Sequence, residues 1–118
     1  MILGLGTDLV DIRRIARALE RHGERFSRRI AGAEELDGRT EHLAAVFAAK
    51  EACVKALGTG FTGGIGFKSI RVISDGGRPL IELNGLAAAR ADQIGVKHIH
   101  LSLAHERDYA VATVILEA

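Results

Sequence analysis

The sequence is short of several things, and each shortage removes a class of protein. Only one cysteine is present, Cys53, which excludes an intrachain disulfide and any Cys-rich zinc site. Tryptophan is absent and aromatics make up 4% of the chain, too few for a platform that stacks single-stranded bases. No apolar run approaches the roughly 20 residues that span a bilayer. The opening MILGLGTDLVD has neither the basic start nor the long apolar core of a signal peptide. A net charge of +1 points neither to a nucleic-acid binder nor to an acidic tail. Proline occurs once, at Pro79 behind DGGR, and marks a turn. The expectation is one soluble, cytoplasmic domain over residues 1–118, with no nucleic-acid and no membrane partner.

What is present organises without repeats or linkers. Residues 2–10, ILGLGTDLV, read as a buried first strand. Alternation puts Leu3, Leu5, Thr7 and Leu9 on one face. Ile2, Gly4, Gly6, Asp8 and Val10 share the other, where two glycines leave open space beside Asp8. Asp11 reads as the N-cap of a helix that Gly23 closes, with Ile12, Ile15, Ala16 and Leu19 as its apolar stripe. Residues 24–40 are charged and read as short helical turns, and 41–58 form the strongest helical segment. FKSIRVIS, DGGRP and LIEL spell a β-hairpin, residues 86–94 a short helix, and IHLSLAH and YAVATVILE a final hairpin. Strands and helices mix without a regular βαβ repeat, so the fold class is α+β.

The central helix carries charges where a simple amphipathic helix would not. At 100° per residue, Leu43, Val46, Phe47, Val54 and Leu57 form one apolar stripe. Lys50 falls near its middle, while Glu51 and Lys55, one turn apart, lie along its edge. A Glu–Lys surface pair is worth a few tenths of a kcal/mol, but a lysine inside an apolar stripe needs a partner or a polar cavity. Downstream, GTGFTGGIG places five glycines in nine positions, a backbone able to bring N–H groups close to a phosphate. It matches neither a Walker loop nor a dinucleotide fingerprint. Asp8 and Glu51 together supply the one or two carboxylates with which Mg²⁺ is often held, the rest coming from water and substrate phosphates. Asp11 is a third carboxylate nearby, better read as the helix cap.

Three stretches in this order, GTDLVDIRRI, FAAKEACVKALGTG and HLSLAHERDYAVATVILE, resemble the holo-acyl-carrier-protein synthase group of 4′-phosphopantetheinyl transferases over nearly the whole chain. The resemblance implies a phosphopantetheinyl transferase fold, mostly antiparallel sheet packed against a long central helix. It implies transfer of the phosphopantetheine arm of coenzyme A to a serine of apo acyl carrier protein, in fatty acid biosynthesis, with release of adenosine 3′,5′-bisphosphate. It further implies Mg²⁺ on Asp8 and Glu51, and a homotrimer with sites at subunit interfaces. Asp8, Glu51 and Lys55 become the catalytic set. Lys50, Lys55, Gly58 and Thr59 fall where the family meets coenzyme A, and His105 matches the histidine of its C-terminal element. The chain departs from the family pattern at Val46, where an arginine is common, at Ala104, where a serine is common, and in a shortened 28–44 segment. Either Glu51 or a metal-activated water accepts the serine proton. A second reading keeps the fold as a non-catalytic carrier-binding subunit.

Arg13, Arg14, Arg17 and Arg21 share one side of the first helix, opposite its apolar stripe. Four like charges so close favour an anionic partner, which the resemblance makes the acidic carrier protein. Cys53 reads as a small buried hydrophobe. His98 and His100 share one strand face, away from His105, with no zinc pattern around them.

Overall fold

The computed structural model describes residues 1–118, and its elements follow the expected order. Strand β1 (Ile2–Asp11) leads into α1 (Ile12–His22) and α2 (Glu24–Ile30); a 3₁₀ turn at Ala33–Glu35 precedes α3 (Thr40–Leu57). A second 3₁₀ turn at Phe67–Ser69 opens the hairpin β2 (Ile70–Asp75) and β3 (Arg78–Leu83), followed by α4 (Gly85–Ile94). The chain ends in the hairpin β4 (His98–Glu106) and β5 (Tyr109–Glu117). β5 is the central strand of an antiparallel β1-β5-β4 sheet, with β2-β3 as a separate pair. No helix is long and apolar enough to cross a membrane.

Local signals act where the sequence put them. Asp11 caps α1 by accepting from the Arg13 backbone N–H at 2.9 Å. Gly58 ends α3 in the left-handed region at φ 78°, where a side chain would be strained. The 24–40 segment is more ordered than its charge density implied, because Ile30, Ala31 and Glu35 are all buried.

α3 is buried on nearly every side, not along one stripe. Ala44, Ala48, Ala49, Ala52 and Ala56 are buried together with the larger Leu43, Val46, Val54 and Leu57. Alanine is what lets a helix sit this close to a sheet. Cys53 is fully buried, and burial pushes its thiol up to about 12, so it packs as a hydrophobe.

β1 turns its glycine face inward and is not buried on both sides. Gly6 and Val10 are buried against the helix, whereas Leu5 and Leu9 on the other face are 64% and 67% exposed. The glycines do not leave open space beside Asp8; the α3 backbone fills it. A Cβ on Gly4 would strike the Ala56 carbonyl, and one on Gly6 would strike the Ala52 carbonyl and come within 2.8 Å of the Ala56 amide. Backbone cannot yield as a side-chain tip can. Gly6→Ala is therefore expected to push α3 off β1 and lower stability by about 2–3 kcal/mol, read as a lower urea midpoint at unchanged slope. An unchanged midpoint would contradict this packing.

Candidate active site

The close helix–strand approach brings three side chains together. Lys55 donates from Nζ to Asp8 Oδ1 and to the Thr7 carbonyl, both at 3.0 Å. Its own side chain stays about half exposed, while that of Asp8 is only 15% exposed. Asp8 Oδ2 is buried and has no hydrogen-bond partner. Glu51 lies beside it: burial first, and then the Asp8 charge, raise the Glu51 carboxyl above the ordinary glutamate range. The charges of Lys55 and, less so, Arg14 pull it back down.

Two partly buried carboxylates side by side, one with an orphaned oxygen, form an arrangement that a divalent cation completes. The donor set is all oxygen, which suits Mg²⁺. Asp8 and Glu51 fit that role. Asp11 does not join them, because Arg13 bonds both of its oxygens at 3.0 and 2.8 Å and holds its carboxyl down to about 2.

Lys50 goes elsewhere. It faces neither a ligand nor an open boundary but is fully buried, donating to the Ile30 carbonyl at 2.7 Å and pairing with Glu35 Oε1 at 2.9 Å. Glu35, itself buried, also accepts from the amides of Gly32 and Val72, each at 2.8 Å. The pair ties α3 to the end of α2, the 3₁₀ turn and β2. Glu35 was not singled out in the sequence, since it sits in a run of surface-type residues; only the tertiary fold shows that Lys50 needs it.

The remaining candidates spread over the molecule. Gly58 and Thr59 line a cavity of about 510 Å³ between the glycine loop and α4. That loop is braced: Phe61 lies 4.2 Å from Phe67, centroid to centroid, and Phe67 5.5 Å from Phe47 of α3. His105 pairs in register with Ala110, which pairs with Val10, so it stands two residues along from Asp8 and two strands away. Strand spacing puts it roughly 12 Å from Asp8, out of reach within one chain. His98 and His100 occupy the opposite sheet face, with His100 bonded to Glu117 at 2.9 Å. Arg14, Arg17 and Arg21 line a groove of about 230 Å³ with His22. The basic strip runs on into α2 through Arg25 and Arg29, which the sequence reading passed over. Arg13 is diverted to Asp11 and Asp108 and lies over the Tyr109 ring.

A family model described as the 4'-phosphopantetheinyl transferase superfamily matches residues 4–114. The chain belongs to that superfamily. The holo-[acyl-carrier-protein] synthase of Vibrio parahaemolyticus is 49% identical over 124 aligned positions, covering 99% of this chain and 98% of that protein. The Halorhodospira halophila protein of the same name is 51% identical over 123 positions, covering 98% of each. Among solved structures, the synthase from Neisseria meningitidis superposes with a TM-score of 0.91 at 36% identity and full coverage of both chains. The Helicobacter pylori synthase, solved with coenzyme A, gives 0.87 at 28% identity, covering 96% of this chain and 99% of that one. The expected fold is thus borne out: an α+β phosphopantetheinyl transferase with an antiparallel sheet on a long central helix. Within this superfamily member, the close Gly6–Ala52 contact is what sets Glu51 beside Asp8.

Proposed function

We propose that the protein is a holo-acyl-carrier-protein synthase, which transfers 4′-phosphopantetheine from coenzyme A to a serine of apo acyl carrier protein and releases adenosine 3′,5′-bisphosphate. The observation that carries this is the Asp8–Glu51–Lys55 cluster with its orphaned Asp8 oxygen. The relatives from Vibrio and Halorhodospira bear the same name, and the Helicobacter structure contains coenzyme A.

In this reading Asp8 and Glu51 hold Mg²⁺, which when bound neutralises charge on the pyrophosphate. Lys55 does two jobs. Two of its N–H bonds fix Asp8 and β1, and its ammonium has a further proton to give to a phosphate oxygen. The serine oxygen forms a bond to the β-phosphorus as the bond to the bridging oxygen breaks. The bridging oxygen leaves on the adenosine bisphosphate, and the serine proton passes to a base at the site. Lys50 drops out of the ligand-contacting set, since its ammonium is wholly engaged inside the protein.

Arg14, Arg17 and Arg21 line a groove that receives the acidic carrier, and the Arg14 charge also acts on Glu51, which places the docking face on the same side as the site. Reversing the charge at Arg14 and Arg21 together is expected to raise KM for the carrier roughly tenfold or more and to flatten its salt dependence, with kcat at saturation little changed. Unaltered carrier kinetics would remove the docking assignment.

The exposed Leu5 and Leu9 share the outer sheet face with Val111 and Ile115 of β5. An uncovered apolar sheet of this kind supports a homotrimer closing on that face. A monomer mass in analytical ultracentrifugation would count against it. A cytoplasmic location and a part in fatty acid biosynthesis follow from the substrates. No observation favours the non-catalytic subunit, because Lys55 bonds Asp8 and both charges act on Glu51. The deciding experiment is intact-mass spectrometry of apo carrier incubated with the protein, coenzyme A and Mg²⁺. A phosphopantetheine mass gain is expected; none across several carriers would refute the activity.

A further inference from the structure

The glycine loop after α3 does not present the phosphate cradle that its composition suggests. The amide of Gly58 is bonded to the Lys55 carbonyl at 3.1 Å, and those of Thr59 and Gly60 to the Val54 carbonyl at 3.1 and 3.2 Å. All three close the helix. The hydroxyl of Thr59 donates to the Gly60 carbonyl and that of Thr62 to the Thr59 carbonyl, at 2.9 and 2.7 Å. An anion arriving here also meets the negative end of the α3 dipole. Lys55, the basic residue of that last turn, is committed to Asp8 and Thr7.

One cation faces this cavity. Arg90 of α4 donates from Nε to the Leu57 carbonyl at 3.0 Å, covering an open end of α3, and from Nη1 to Gln93 Oε1 at 3.4 Å. Its Nη2 has no protein partner and lies beside Gly58, 3.6 Å from where a Cβ would stand. Arg90 is the sole charged residue lining the cavity of about 510 Å³ that Gly58, Thr59, Thr62, Ile65 and Leu86 help to enclose. The guanidinium cancels the helix-end charge and still has donors for a phosphate.

We propose that Arg90 binds a phosphate on the adenosine bisphosphate half of coenzyme A, away from the phosphorus attacked at Asp8, Glu51 and Lys55. This rests on the coenzyme A reading of the site. Gly58 makes the turn into the cavity at φ 78°, where a side chain would be strained.

The test measures binding of adenosine 3′,5′-bisphosphate, 5′-AMP, 3′-AMP and adenosine to the full chain and to Arg90→Gln and Arg90→Lys, by calorimetry and competition NMR. Arg90→Gln is expected to weaken the bisphosphate roughly 10- to 100-fold, as the loss of a charge-assisted hydrogen bond does. Adenosine, lacking phosphate, should bind it unchanged, and Arg90→Lys should recover part of the loss. Whichever monophosphate loses affinity identifies the 5′ or the 3′ group. Equal bisphosphate affinity in Arg90→Gln and wild type overturns the proposal. So does an equal loss for adenosine, which would make Arg90 a brace for the α3 end only. If the wild-type chain itself binds no adenosine bisphosphate, the coenzyme A reading falls and the proposal falls with it.

Discussion

Asp8→Ala and Glu51→Ala are each expected to abolish phosphopantetheine transfer while the protein stays folded. In the proposed mechanism each removes half of a two-carboxylate cation site where the pyrophosphate would develop charge. Losing several kcal/mol of that stabilisation, about 4 or more, corresponds to about a thousandfold or greater drop in kcat. Folding should not suffer in parallel, because the site works against stability. Glu51 has its proton affinity raised by burial and by Asp8, so the fold favours its neutral form. The sign follows: the fold holds the Glu51 proton more tightly than the unfolded chain does, and its contribution is lost as pH rises through the raised value. Glu51→Gln should thus melt above wild type at neutral pH, and the difference should vanish below the ordinary glutamate range near pH 4. Added Mg²⁺ should raise the wild-type melting temperature by mass action and leave Glu51→Gln unmoved. Residual transfer within tenfold of wild type in either alanine variant would break the assignment, as would a Glu51→Gln that melts lower at pH 7.

The second large effect belongs to a pair that touches no ligand. Lys50→Ala or Glu35→Ala alone is expected to cost about 3–5 kcal/mol, because each strands the partner's charge in the interior. Glu35→Ala also orphans the Gly32 and Val72 amides. Burial lowers the Lys50 proton affinity and Glu35 restores it in part, the pattern of an ammonium that depends on its partner. Replacing both at once, Lys50→Met with Glu35→Leu, should cost far less than the sum of the single changes. Chemical denaturation of the four proteins gives the coupling energy directly. Single variants within 1 kcal/mol of wild type, or an additive double variant, would rule out a buried mutual dependence.

Much of this molecule was legible without its coordinates, and the reason is local. Asp11 and Gly23 mark the ends of α1, Gly58 and Gly95 end α3 and α4, and the alternation in YAVATVILE gives β5, because capping and periodicity are properties of a few adjacent residues. The spacing from Asp8 to Glu51 and Lys55 was likewise readable, carried by a family resemblance that the superfamily match now shows. What the sequence left open is which partner each group meets across the fold. Periodicity put Lys50 near the middle of an apolar stripe, and the family resemblance turned it toward coenzyme A; the buried Glu35, 15 residues away, took it instead. Alternation sorted β1 into two faces and left open space beside Asp8, but helix–strand contact demands the smallest residues, so the Gly4 and Gly6 face packs on α3 while Leu5 and Leu9 turn outward. The GTG loop looked like a nest of free amides until α3 claimed them. The sequence by itself determined the elements, their caps and the residues able to do chemistry. Only the tertiary structure decided which charges pair with one another and which stay free for a ligand, because a hydrogen bond is allotted by distance in space and not by distance along the chain.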